Sequence, residues 1–169
     1  MTTLLADPII DIDYEIEELI DVASFNHGYI QARLVILLGG FAQYTPVSEL
    51  SLDIDGVDLN RYTLRSRDEL KPDIVLYPRR GLSRPLDILR MKEMPLLAVE
   101  ILSPRQGTYE ILEKFKVYFE LGIQSCWLVD PALNTIAVYS SIDDWQPFSS
   151  GEILDEKLAI HLSIDEIFA

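Results

Sequence analysis

Cysteine is almost absent from this chain: Cys126 stands alone. A single thiol excludes an internal disulfide and points to a reducing, cytoplasmic setting. Within its apolar run it reads as a small core residue, since no base stands in sequence to activate it. With only two histidines and no paired cysteines, the sequence holds no zinc-ligand cluster. Long apolar runs are missing too. The longest mostly apolar stretch, Leu34 to Ala42, is too short to span a bilayer, so no membrane is expected as a partner. Met1 to Asp13 carries acids and lacks a basic n-region, so it does not read as a signal peptide. No glycine-rich phosphate loop is present; Gly39-Gly40 ends a helical pattern instead of opening one after a strand. No repeat, low-complexity tract or linker divides the chain.

Positive charge is scarce. The formal net charge is −14, which argues at first against a polyanionic partner. The bases are unevenly placed, however. Residues 1–60 hold eleven acids and one base, Arg33. Residues 61–94 hold nine bases against five acids, and residues 95–169 hold four bases against twelve acids. The one basic segment is either a set of solvated loop charges or a local rim that attracts anions.

What the sequence does have is a core. Its 169 residues are about half apolar and suffice for one domain. Asp11 to Asp21 has the spacing of a short amphipathic helix, and His27 to Gln43 reads as a helix capped by Ser24 or Asn26. Val47 to Asp55 alternates like a half-buried strand. Strands are predicted at Asp73 to Tyr77 and at Leu96 to Leu102, joined by a basic connection with a helical turn near Leu86 to Met91. Gly107 to Leu121 has a helical apolar stripe closed by Gly122. Strands at Gln124 to Asp130 and Thr135 to Tyr139 follow, then a loop over residues 140–151, an edge strand at Lys157 to Leu162, and a final turn at Ile164 to Phe168. That order predicts an α/β fold with a mixed sheet.

Two of these strands each carry a carboxylate that a buried strand disfavours: Asp73 and Glu100. An isolated buried carboxylate costs several kcal/mol unless something compensates it. A pair on neighbouring strands suggests a shared cation, and hard oxygen ligands with retained waters suit Mg²⁺. Lys114, on the following helix, can orient or help deprotonate an attacking water and stabilise developing negative charge. Two carboxylates, a metal and a lysine suffice for phosphodiester hydrolysis. Four further residues are candidates beside a plainer role. His27 is either structural or catalytic, and Glu49 is either exposed or within reach of the metal. Glu110 is either a surface charge or the partner of Lys114 one turn on. Tyr118 is either core or site.

The residues in order also resemble a known family. Pro72-Asp73, Val99-Glu100-Ile101-Leu102-Ser103-Pro104, Lys114 with Tyr118, Gly122-Ile123 and Trp127-Leu128-Val129-Asp130-Pro131 are similar to motifs of the Uma2-type (DUF820-like) endonucleases. These belong to the PD-(D/E)XK restriction-endonuclease-like superfamily. The resemblance spans about residues 24–140, leaving 1–22 as an N-terminal extension of a single domain, 1–169. It implies a restriction-endonuclease-like mixed β-sheet flanked by helices. It implies Asp73 and Glu100 as metal ligands, completed by the Ile101 backbone carbonyl, with Mg²⁺ or Mn²⁺ as cofactor and nucleic acid, DNA, as partner. The superfamily's lysine sits two residues after the glutamate; Leu102 stands there, and Lys114 takes the lysine's place from the helix, with Lys116 on a different side. Arg105-Gln106-Gly107-Thr108 departs from the small hydroxyl residue that relatives carry after Ser-Pro. Many relatives are dimers, and the apolar stretch Thr135 to Tyr139 is a candidate edge for a homodimer. Against the endonuclease stands a second reading, an inactive nuclease-like fold serving as a binding or assembly module, favoured by the −14 charge and the missing lysine at position 102. A third reading, a carboxylate pair acting on a glycoside, lacks an aromatic platform motif.

Overall fold

A computed structural model describes residues 24–64 and 69–169. The helical pattern at 11–21 and the proposed extension lie outside them. The first helix, α1, covers Phe25–Gly39, and the Ser24 hydroxyl caps it by accepting the His27 N–H at 3.2 Å. Its buried residues Ile30, Leu34 and Leu38 recur every four positions, which fixes the stripe that faces the sheet. The helix stops at Gly39, short of the expected Gln43, because Gly40 and Phe41 turn back onto the Leu37 and Leu38 carbonyls. Strand β1 (Tyr44–Ser48) and the short β2 (Leu52–Asp53) follow. The single strand expected over Val47 to Asp55 is thus divided in two. The break is at Glu49, whose φ of 55° lies in the left-handed region and ends the extended run. A 3₁₀ turn at Leu59–Arg61 and the short β3 (Glu69–Leu70) lead to β4 (Ile74–Pro78).

β4 runs antiparallel to β5 (Leu97–Ile101), all five residues of which are buried. The helix α2 (Thr108–Glu120) is the crossover that lets β5 pair in parallel with β6 (Ser125–Asp130). β7 (Thr135–Ser141) and β8 (Asp144–Phe148) complete a six-stranded mixed sheet in the order β1-β4-β5-β6-β7-β8. A hairpin of β9 (Glu152–Asp155) and β10 (Ile160–Ser163), then the short α3 (Ile164–Phe168), end the chain. The mixed sheet with flanking helices is the fold class expected.

Three expectations need correction. Residues 86–91 form no helical turn; residues 81–90 are exposed throughout, so a helix there has no face to bury. The supposed loop at 140–151 holds β8, a mostly exposed strand stabilised by backbone pairing with β7. That pairing makes Thr135 to Tyr139 internal, so it is not the sheet edge proposed for a homodimer; the edges are β1 and β8.

The sheet carries a core on each face. α1 covers Ile74, Leu76, Leu97, Val99 and Ile101, while α2 covers Val75, Tyr77, Ala98 and Cys126 through Ile111, Phe115 and Tyr118. Successive strand residues alternate between faces, so Glu100 falls on the α2 side, while Asp73, just before β4, lies against α1 and the main chain of β5.

Candidate active site

The register between β4 and β5 builds the site. Ile74 pairs with Val99, so the next position outward sets Asp73 beside Glu100. Each carboxylate is then held by donors from a different direction. Glu100 is 3 % exposed. Its Oε1 accepts the Tyr118 hydroxyl at 2.5 Å and its Oε2 accepts the Lys114 ammonium at 3.1 Å. Lys114 and Tyr118 stand four residues apart on α2 and present one face to the strand. Burial raises the Glu100 pKa and the Asp73 charge adds to that, while Lys114 and Tyr118 oppose it. Burial works to lower the Lys114 pKa, but the Glu100 charge and hydrogen bond outweigh it and leave it raised. The Tyr118 hydroxyl is pushed well up, by burial first and Glu100 second, so it is a neutral donor.

Asp73 is held by α1 and by β5. His27 Nε2 lies 3.1 Å from its Oδ1, and the Ile101 N–H donates to its Oδ2 at 2.6 Å. A strand residue directs its N–H and C=O to the same side, so the Ile101 carbonyl also faces Asp73. The hydrogen bond to Asp73 raises the His27 pKa against the lowering effect of burial. The other imidazole nitrogen, Nδ1, is buried with no hydrogen-bond partner.

Glu49 closes a further side. Its Oε1 accepts from Gln31 Nε2 at 2.8 Å, and its Oε2 lies 3.0 Å from the Lys71 ammonium. Burial raises its pKa, and the bonds from Gln31 and Lys71 more than offset this, leaving it lowered. Gln31 also donates to the Asp73 carbonyl at 2.8 Å, where the Glu49 N–H donates at 3.1 Å. His27 and Gln31 are thus one helical turn apart on α1 and grip the side chain and the main chain of one aspartate.

A polar cavity of about 150 Å³ opens between His27, Glu49, Asp73, Glu100 and Lys114. Lys71, Ser103 and Gln106 also line it. The structure therefore brings together Asp73, Glu100, Ile101, Lys114, Tyr118, His27 and Glu49. Of the two readings of Glu110, the pairing with Lys114 is not formed: Glu110 acts on Lys114 through its charge, and the ion pair of Lys114 is with Glu100. Lys116 turns away to Glu113. Sequence reasoning missed Gln31, whose only signal is its place four residues after His27.

The donor set is one a hard cation accepts. Among the described residues no three His, Cys, Asp or Glu side chains form a ready-made metal cluster. Two carboxylates and a carbonyl therefore leave several positions to water, as Mg²⁺ prefers. Each of the four carboxylate oxygens already accepts one hydrogen bond, and each has a second lone pair. The residues present fit such an ion.

No curated protein matches the chain. A crystal structure from Anabaena variabilis, described as "a putative nuclease belonging to DUF820", superposes with a TM-score of 0.68 at 22% identity, covering 86% of this chain and 81% of that one. At that identity the likeness establishes a shared fold. The family model described as "Uma2: Putative restriction endonuclease" matches residues 5–165, nearly the whole length, and the chain belongs to that family.

Proposed function

We propose that the protein is a metal-dependent endonuclease that hydrolyses phosphodiester bonds in DNA, with Mg²⁺ or Mn²⁺ as cofactor. The observation that carries this reading is the placement of Asp73 beside Glu100 with Lys114 returning to Glu100 from the next helix. Asp73, Glu100 and the Ile101 carbonyl are the residues that would hold the ion. When bound, a divalent ion supplies Lewis acidity to a phosphoryl oxygen and lowers the pKa of a bound water. The chain's own contribution is positioning and charge. Lys114 is held beside Glu100, so it is placed to stabilise negative charge developing on the phosphate and to orient the water. Tyr118 fixes the other oxygen of Glu100. His27 and the Ile101 N–H fix both oxygens of Asp73. The reading includes a homodimer formed through a sheet edge, β1 or β8, and a reducing cytoplasmic setting inferred from the lone buried Cys126.

The test is cleavage of supercoiled plasmid by the purified chain, with and without Mg²⁺ or Mn²⁺, beside Asp73→Ala, Glu100→Ala and Lys114→Ala. Metal-dependent cleavage by the unaltered chain should fall on the order of 100-fold or more in each variant. Identical background from all four sinks the reading. A second reading, a non-catalytic binding or assembly module, is favoured by one observation: every carboxylate oxygen of Asp73 and Glu100 already has a partner from the chain itself. Calorimetric titration with Mn²⁺ separates the two, since only the endonuclease predicts binding that Asp73→Ala and Glu100→Ala abolish.

A further inference from the structure

A protein with a net charge of −14 repels a polyanion unless part of its surface reverses the sign. Residues 79–92 do so: they hold five of the fourteen Lys and Arg and a single acid, Asp87. We infer that this segment is a nucleic-acid-binding arm which holds the DNA substrate. The inference rests on the endonuclease reading above and says which surface receives the substrate.

Both roots of the arm are fixed. The Arg79 N–H donates to the Gln43 carbonyl at 2.8 Å. The Arg80 guanidinium grips Glu93 through two bonds, at 2.9 and 2.7 Å, and lies 4.5 Å over the Tyr77 ring. At the other root, the Met91 N–H donates to the Ser51 carbonyl at 2.8 Å, and the Asp53 N–H donates to the Met91 carbonyl at 2.8 Å. Met91 and Tyr77 belong to the apolar cluster under α2, the face that also carries Glu100 and Lys114. The first root leaves the sheet at the Pro78 end of β4, opposite the end beside Asp73, and the second returns under α2.

Between the roots every residue from 81 to 90 is exposed. Leu82 is 82 %, Leu86 78 % and Leu89 87 % exposed. Three leucines held in water on one loop mark an interaction surface. The arginines beside them identify the occupant by charge. Arg79, Arg84 and Lys92 suit phosphates, and apolar side chains interleaved with arginine suit the sugar and base surfaces of a groove. A second copy fits less well: an arm-to-arm contact about a two-fold axis sets the same arginines against each other.

The test is fluorescence anisotropy of a short labelled DNA duplex with the full chain in EDTA, across a salt series. Arg84→Glu with Lys92→Glu should weaken binding on the order of 10-fold or more and flatten the salt dependence by about one unit of slope for each phosphate no longer neutralised. Leu86→Ser with Leu89→Ser should weaken binding several-fold and leave that slope unchanged. These positions are exposed, so the variants should fold as the unaltered chain does, and circular dichroism checks it. Binding equal to that of the unaltered chain in both variants overturns the arm while leaving the endonuclease reading intact. Arm-dependent binding with no metal-dependent cleavage sinks the endonuclease and keeps the arm. No binding of duplex or single strand by the unaltered chain overturns both. Sedimentation gives the remaining outcome: if the leucine variant turns a dimer into a monomer without altering DNA binding, the arm is a self-interface and the inference is wrong.

Discussion

His27 and Asp73 meet with Nε2 3.1 Å from Oδ1, joining the first turn of α1 to the head of β4. The histidine is 5 % exposed and its remaining nitrogen has no partner among the described residues, where Asp73 is the polar contact that accounts for the imidazole being there. It works through the aspartate and not on a substrate. His27→Ala should lower Mn²⁺ affinity roughly 10- to 100-fold, the usual effect of removing an outer partner of a metal ligand. Calorimetry measures it, and His27→Gln, whose amide nitrogen reaches a similar place, should restore part of the affinity.

Lys114 and Glu100 form a pair with little water access; their side chains are 18 % and 4 % exposed. Lys114→Met leaves Glu100 buried with Tyr118 alone. The expected cost is about 3 kcal/mol, at the low end for a broken buried pair because Lys114 keeps some solvent access. Glu100→Gln combined with Lys114→Met should be more stable than Lys114→Met by itself. Urea unfolding of the three variants checks both statements.

Glu113 accepts the Thr63 N–H at 3.0 Å and pairs with Lys116. The hydrogen bond from Lys116, then that from Thr63, holds its pKa below the ordinary 4.5. A carboxylate lowered in the folded state stabilises above its ordinary pKa, and that stability is lost as pH falls through the lowered value. The stability difference between the unaltered chain and Glu113→Gln should therefore hold from neutral pH down to about 4.5 and shrink below it. Urea unfolding at a series of pH values measures this.

Asp155 ties the β9–β10 hairpin to the sheet. It is 1 % exposed; its Oδ2 accepts the Ser125 hydroxyl at 2.6 Å and the Trp127 Nε1–H at 2.9 Å, and its Oδ1 accepts the Leu158 N–H at 3.2 Å. Asp155→Asn replaces an acceptor oxygen by a donor against one of these donors. The expected loss is on the order of 3 kcal/mol, read by thermal unfolding and by a shift in Trp127 fluorescence.

The central strands are legible because Asp73 and Glu100 interrupt apolar runs, and the pairing of Lys114 with Tyr118 because four-residue spacing stacks them on one helix face. The break at Glu49 escapes the pattern for a physical reason. Leu50, Leu52 and Ile54 continue the alternation across it, so nothing in the pattern betrays a left-handed residue. Beyond its place four residues after His27, Gln31 gives no signal, because an amide in a helix looks like any solvated polar residue until its acceptors are known. β8 is invisible since most of it faces water, and its stability comes from the β7 backbone, which no side-chain pattern records.

The antiparallel register of β4 and β5 frees the ancestry of the site from the length of the chain between its two acids. Asp73 and Glu100 are 27 residues apart in sequence, yet their juxtaposition depends only on Ile74 meeting Val99. Insertions or deletions at the exposed tip, residues 81–90, leave that meeting untouched, because lengthening a loop costs little. Relatives are therefore free to diverge in the spacing of the two acids, and a search built on fixed spacing loses them sooner than one built on the flanking strands.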